Sequence, residues 1–269
     1  MHGRVVETSR ITPSMVRVVL GGGDLDRFTM VEATDAYVNL AFPPDGAPYG
    51  AVFEPAQVRD EHPQETWPAR RRYTVRDWDA DRQRLTIDFV VHGDTGVAGA
   101  WAMSARPGDV LVFEGPSGGY VPEPEAHWLL MVGDESALPA IAASLEAVPA
   151  GTTTLVRLLC DGPEHEVDLA CAGDVELAWV HRRGDERDES LLAEAVRDLT
   201  FPPGPVHAFV HGEADEIRQI RRHLLADRGL TRQDMSCSPY WRRDMTDEAW
   251  RKVKRDFVAA MEDDVALTG

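Results

Sequence analysis

Trp128-Leu129-Leu130-Met131-Val132-Gly133-Asp134-Glu135-Ser136-Ala137-Leu138 is the stretch on which the fold turns. Trp128–Val132 is an unbroken apolar run of strand length, and Glu135–Ala147 then switches to a helical period. Downstream the alternation repeats: strands are predicted at Thr152–Cys160, Leu177–Val180 and Val206–Val210. Helices are predicted at Glu189–Leu199, Asp215–Arg228 and Thr246–Met261. Continuous apolar strands separated by helices of 10–15 residues specify a parallel, doubly wound sheet.

Upstream the period is two. Arg4–Glu7, Met15–Leu20, Tyr37–Phe42, Arg72–Trp78, Arg84–Val91 and Val110–Phe113 read as six short strands, with one helix at about Thr95–Ser104. Such a set predicts a small closed antiparallel barrel. The proline-rich stretch Pro44–Pro68 is long for a connection and is expected to form a flap over one barrel end. The predicted architecture is a six-stranded antiparallel barrel over residues 1–122, followed by an α/β domain with a C-terminal helix over 123–269.

Composition narrows the function. The 269 residues carry 28 Lys+Arg against 46 Asp+Glu, a net charge of −18. That balance argues against nonspecific nucleic-acid binding and against docking on anionic lipid. With 43% hydrophobic and 28% charged residues the chain is an ordinary globular one. No apolar run reaches bilayer length and the first residues lack a signal-peptide core, so a cytoplasmic protein is expected, as a monomer. Cys160, Cys171 and Cys237 match neither a disulfide framework nor an iron–sulfur spacing. His207 and His211 would lie about 13 Å apart on a strand, too far to share a metal. No protein-bound metal is expected.

The densest chemical signal is Arg70-Arg71-Arg72-Tyr73-Thr74-Val75-Arg76. On a strand, Arg71, Tyr73 and Val75 would face one way, and Arg72, Thr74 and Arg76 the other. A bound polyanion would compensate four arginines in an acidic chain. A solvated edge strand decorated with arginine accounts for the run equally well. Gly96-Val97-Ala98-Gly99-Ala100-Trp101-Ala102 opens the barrel-side helix, where backbone N–H groups can hold a phosphate. On the small residues alone, tight helix packing is the better explanation.

Asp134 and Glu135 place negative charge at the start of the next domain's first helix, which caps a helix well and repels phosphate. That loop is expected to be a poor phosphate cradle. His181-Arg182-Arg183-Gly184 follows a strand at the end where α/β folds collect ligands, and Gly212-Glu213 closes another. Glu213 also fits a helix-start carboxylate. Tyr240-Trp241-Arg242-Arg243 sets aromatics beside arginines, suited to a planar anion, though Trp241 would equally pack the last helix.

Taken in order, Arg71–Arg76, Asp88-Phe89-Val90-Val91-His92-Gly93, Gly96–Ala102, Gly133–Ile141, His211-Gly212-Glu213 and Tyr240–Arg243 resemble the siderophore-interacting protein family. These are FAD-dependent ferric-siderophore reductases on a ferredoxin–NADP reductase-like scaffold. The resemblance implies FAD and NAD(P)H as cofactors and a ferric siderophore as substrate. It implies that Arg71 meets the flavin phosphates and that Tyr73 and Thr74 lie against the reactive ring. Asp88, Val90, His92, Gly96, Ala98, Gly99, Trp101 and Ala102 would complete the flavin site. Gly133, Asp134, Ser136, Arg182, Arg183, Gly212 and Glu213 would face the nicotinamide cofactor, and Tyr240, Trp241, Arg242 and Arg243 the substrate. Asp244 stands where the family commonly has glycine. A flavin or partner-protein reductase, and a non-catalytic siderophore-binding module, remain the alternatives.

Overall fold

The structure is a computed structural model that describes residues 1–91, 96–123, 125–182, 184 and 188–266. His92, Gly93 and Arg183, expected near the cofactors, lie outside the described residues. The chain divides into two compact units, Met1–Gly119 and Tyr120–Gly269.

The first unit carries strands β1 (His2–Thr12), β2 (Met15–Gly21), β3 (Tyr37–Phe42), β4 (Ala69–Thr74), β5 (Asp77–Asp79), β6 (Arg84–Val90) and β7 (Val110–Ser117). They form one antiparallel sheet in the order β4-β3-β7-β1-β2-β6-β5. The edge strands β4 and β5 are successive pieces of one bent strand. Between them the Val75 N–H donates to Ala36 O at 2.7 Å, and the Arg76 N–H donates to Thr86 O at 2.9 Å. The sheet thereby closes on itself, which leaves no long open edge.

This bend is why seven strands replace the six expected. Arg72–Trp78 was read as one alternating strand, but the chain leaves β3 and joins β6 at Val75-Arg76. Alternation fails there, and Thr74 and Val75 are both buried. Elsewhere it holds: Val18 and Leu20, Val38 and Leu40, Ile87 and Phe89 all point into the barrel core. Each such side chain contributes roughly 1.5–3 kcal/mol.

Helix α2 (Val97–Ser104) covers β2 and β6. The flap contains a helix that the sequence reading lacked, α1 (Pro55–Glu61). Tyr49 organises it, packing at a tilt against Phe53 and His62 and donating to Thr66 O at 2.7 Å.

The second unit alternates β8 (Trp128–Asp134), α3 (Leu138–Glu146), β9 (Thr153–Cys160), β10 (Asp174–His181), α4 (Leu191–Arg197), β11 (Val206–Glu213), α5 (Ala214–Ala226), β12 (Met235–Trp241) and α6 (Asp247–Ala266). The sheet is parallel, in the order β10-β9-β8-β11-β12. Chain order reverses direction between β8 and β11, which is the topological switch point where doubly wound sheets bind ligands. Strand β12 was not predicted, since Ser236, Ser238 and Pro239 weaken its pattern. It is an edge strand, where a missing proline N–H is tolerated.

Candidate functional site

In the first unit the register decides what each β4 side chain can do. Arg71 pairs with Leu40 and Tyr73 with Val38, so both lie on the barrel's inward face. Arg70, Arg72 and Thr74 pair with Ala41, Asn39 and Tyr37 on the other face. Tyr73 packs on Phe89 with ring centroids 4.5 Å apart, and Trp101 meets Phe89 and Phe42 at 5.7 Å each. Arg71 donates to the Arg70 carbonyl at 2.9 Å.

Helix α2 is preceded by Gly96, whose φ of +90° suits glycine, and among the described residues no side chain caps it. A Cβ on Gly96 would meet nothing within 4 Å. On its other side α2 is pressed against β6. A Cβ on Gly99 would lie 3.3 Å from Val90 O and from Val91 Cγ1. Ala98, Gly99 and Ala102 therefore serve helix packing, while Gly96 and the helix start supply the anion-accepting end. An uncapped helix start together with Arg71, Tyr73 and Thr74 fits a flavin nucleotide.

Asp88 does not join that set. It is spent on a bidentate pair with Arg17 across β2 and β6, both bonds 2.7 Å, at 4% exposure. The sequence hid this pairing because Arg17 lies 71 residues away.

At the switch point of the second unit, carboxylates converge instead of phosphate donors. Asp134 accepts from the Ser136 N–H at 2.8 Å, the Ser136 hydroxyl at 2.5 Å, the Glu213 N–H at 2.9 Å and Trp241 Nε1 at 2.7 Å. It ties β8, β11 and β12 together, and Ser136 has both its donors committed. Glu213 is the N-cap of α5, accepting from the Asp215 and Glu216 N–H groups at 2.7 and 3.1 Å. The helix-start role for Glu213 is the one the structure displays.

The close approach of the strands explains both glycines. A Cβ on Gly133 would sit 2.5 Å from Ala137 Cβ and 2.7 Å from His211 O. One on Gly212 would meet the Asp134 carboxylate at 2.9 Å.

Arg182 forms a bidentate pair with Glu135 at 2.7 and 2.9 Å and reaches Asp161 at 2.9 Å. Burial acts to lower its pKa, but the Glu135 bonds and charge outweigh that and hold it above its ordinary value. Its charge is compensated within the protein, so it clamps the ends of β8, β9 and β10.

The expected substrate residues are likewise engaged. Arg243 donates from its backbone to Glu213 at 3.1 Å and from its guanidinium to Glu216 at 3.3 Å. Arg242 pairs with Asp215 at 3.3 Å and lies 5.0 Å over the Phe257 ring. Tyr240 packs 4.8 Å from the His211 ring. Asp244 keeps the left-handed turn at φ +59°, a region that glycine would occupy more easily.

Of two neighbouring groups, Glu216 was missed by the sequence reading, and His211 was named in it without a role. Burial pushes Glu216 up to about 8, with Asp134 the next cause in the same direction. Burial lowers His211 to about 3, so it stays neutral, stacked 4.0 Å from Phe209. Burial also pushes Cys160 and Cys237 up to about 12, leaving both as inert thiols. No helix among the described residues is long and apolar enough to cross a membrane.

Comparison with known proteins bears on the whole chain. The siderophore-interacting FAD-binding domain model matches residues 4–120. The siderophore-interacting protein model matches residues 126–244. An uncharacterized protein of Mycobacterium tuberculosis is 39% identical over 95% of each chain. The ferric vibriobactin reductase ViuB of Vibrio cholerae is 32% identical over 93% of this chain and 92% of its own. The NADPH-dependent ferric-chelate reductase of Escherichia coli is 31% identical over 88% and 91%.

Among solved structures, the siderophore-interacting protein SipS of Aeromonas hydrophila superposes with a TM-score of 0.83 at 27% identity, covering 96% of this chain and 98% of that one. Phthalate dioxygenase reductase shares the fold, with a TM-score of 0.61 at 13% identity over 92% of this chain and 70% of that one. An FAD-binding barrel matched along its length, a switch-point domain matched along most of its own, and relatives aligned nearly end to end place this chain in the siderophore-interacting protein family.

Proposed function

We infer that the protein is an NAD(P)H-dependent, FAD-containing oxidoreductase that reduces a ferric siderophore in the cytoplasm, so that iron leaves as Fe(II). The observation that carries this reading is the first unit's combination of Arg71, Tyr73 and Thr74 on β4 with the uncapped start of α2 at Gly96. Of the relatives aligned over most of the chain, one is a ferric vibriobactin reductase by name and another an NADPH-dependent ferric-chelate reductase.

Held by these residues, FAD would supply the exchange between a nicotinamide's electron pair and the single electrons that Fe(III) accepts, so one NAD(P)H would serve two ferric ions. The chain's own work is binding and orientation. The Arg71 guanidinium matches a phosphate oxyanion, and the α2 N–H groups add a second anion contact. Tyr73, held by Phe89, gives the ring a fixed apolar face. Thr74 offers a hydroxyl at 8% exposure, where competition from water is small.

In the second unit the switch point is negative. Asp134 and Glu213 disfavour a pyrophosphate and tolerate a nicotinamide ring that becomes cationic on oxidation, while Glu135 is paired with Arg182 and Glu216 keeps its proton up to about pH 8. The pyrophosphate is therefore assigned to another part of this domain. Fe(II) is held far less tightly than Fe(III) by hard anionic oxygens, so reduction itself releases the metal.

Anaerobic reduction of the FAD-loaded protein, followed by its flavin absorbance, tests the reading. Bleaching by NADH or NADPH and rapid recovery on adding a ferric siderophore is the expected result. Bleaching without recovery by iron transfers the function to a flavin or partner-protein reductase. Chelate binding with no flavin leaves a binding module.

A further inference from the structure

Two arginine–glutamate pairs lie at the ligand end of the parallel sheet, and only one of them is complete. Arg182 grips Glu135 through two bonds of 2.7 and 2.9 Å and adds a third to Asp161 at 2.9 Å. Arg243 reaches Glu216 through a single contact of 3.3 Å. The other carboxyl oxygen, Glu216 Oε2, and the other terminal nitrogen, Arg243 Nη1, are shielded from solvent and form no hydrogen bond among the described residues. Glu189, in the segment before α4, lies 3.8 Å from Nη1, beyond hydrogen-bond reach.

Charge crowding accounts for the half-formed pair. Glu216 is 1% exposed and is faced by Asp134 from β8, Glu213 from the end of β11, Arg182 from the end of β10 and Arg243 beyond β12. Arg182 is already matched by Glu135 and Asp161. Asp215, next to Glu216 on α5, is paired with Arg242, which lies over Phe257 of α6. Asp188 lies close enough to Arg243 to feel its charge. Burial beside carboxylates pushes Glu216 up to about 8, so it is neutral at pH 7. A neutral carboxyl attracts a guanidinium less than a carboxylate does, because the acceptor carries no full charge.

Arg243 therefore differs from Arg182 in how readily it can move. Leaving a protonated Glu216 strands no buried charge, whereas leaving an ionised one does. The Arg243 side chain is 16% exposed just past the C-terminal end of β12, on the side of the sheet where such folds bind ligands. An anion arriving there can take the guanidinium from a neutral partner. With Glu216 ionised, the same anion competes against a buried carboxylate and is also repelled by it.

We propose that Glu216 is a positioning residue whose proton leaves Arg243 available to an anionic ferric chelate, and whose ionisation withdraws it. This rests on the reading that the Tyr240–Arg243 segment meets the substrate. The chelate touches Arg243 and not Glu216. Chelate binding and protonation of Glu216 are then linked, each favouring the other.

The test compares wild-type protein with Glu216→Gln and Arg243→Gln. The probe is a hexadentate tris-catecholate of Ga(III), which copies the charge of the ferric chelate, keeps that charge from pH 7 to 9 and accepts no electron. Calorimetric titrations with this probe, and with NADPH in parallel, cover that pH range, and melting curves control for folding. Wild-type protein is expected to lose about tenfold in affinity for the probe between pH 7 and 9, because only protonated Glu216 releases Arg243. Glu216→Gln cannot ionise and holds its pH 7 affinity through pH 9. Arg243→Gln binds about tenfold more weakly than wild type at pH 7, with no slope.

A flat wild-type profile, or a slope in Glu216→Gln equal to that of wild type, overturns the proposal while leaving Arg243 to the substrate. Wild-type affinity in Arg243→Gln takes Arg243 out of the substrate site and overturns it too. So does a slope seen with NADPH and not with the chelate, which gives Arg243 to the nicotinamide cofactor. Wild-type protein that fails to bind the probe at pH 7 overturns the ferric-siderophore reading itself, a result visible before any variant is made.

Discussion

Replacing Glu216 by glutamine should reverse the protein's alkaline loss of stability. Glu216 is 1% exposed at the start of α5. Burial pushes its carboxyl from 4.5 up to about 8, the Asp134 and Glu213 charges add to that, and Arg182 and Arg243 oppose it. Between those two values the folded protein keeps a proton that the unfolded chain has lost. The Glu216 contribution to stability is therefore full below pH 4.5 and falls as pH rises toward 8.

His211 acts in the opposite sense. Its pKa drops from 6.5 to about 3, so its contribution is complete above pH 6.5 and is lost as pH falls. The two slopes oppose each other between pH 4.5 and 6.5. From pH 6.5 to 8 the Glu216 slope stands apart from that of His211, at about 1.36 kcal/mol per pH unit, which amounts to roughly 2 kcal/mol. For a unit of this size that is a fall in Tm of about 4–8 °C.

Glutamine retains an acceptor for the Arg243 guanidinium and removes the titration. Glu213, also raised by burial, is present in both proteins and cancels in the comparison. Melting curves at fixed ionic strength from pH 6.5 to 8 provide the assay. The wild-type curve should fall relative to that of Glu216→Gln, with the gap widening toward pH 8. Parallel curves across that window would refute the assignment of a proton to Glu216.

Three further substitutions probe the same region. Trp241→Phe keeps a ring but removes the indole donor to Asp134, and should cost about 1.5–2 kcal/mol in chemical denaturation. Gly133→Ala forces a Cβ to within 2.7 Å of the His211 carbonyl, and should cost at least roughly 1–3 kcal/mol by the same measurement. Asp244→Gly relieves a left-handed residue at an exposed turn, and should raise stability by about 0.5 kcal/mol after the added freedom of the unfolded chain is subtracted.

The architecture was legible because both units obey their periods. The second unit's strands are apolar throughout, as at Trp128–Val132, and the first unit's alternate, as at Tyr37–Phe42. The failures have local causes. Arg72–Trp78 reads as one strand because the turn from one sheet edge to the other uses Val75 and Arg76, neither of which is a turn residue. Strand β12 was invisible because an edge position tolerates the serines and proline that disqualify a central strand. Helix α1 hides in a proline-rich flap, where Pro55 starts the helix rather than breaking it.

The site was legible to a different degree in each unit, for an electrostatic reason. The residues proposed for the flavin sit near one another in sequence, on one strand and one helix. The switch-point residues are charges whose partners are distant: Arg182 finds Glu135 47 residues away, and Trp241 finds Asp134 107 away. A linear reading treats each such charge as available to a ligand. Folding pairs them first, because a buried charge left unpaired costs more than most ligand contacts return. The arginine that escapes this rule, Arg72, has an exposed head and no carboxylate opposite it. Spent charge thus marks scaffold here: Arg182 holds the second unit's strand ends.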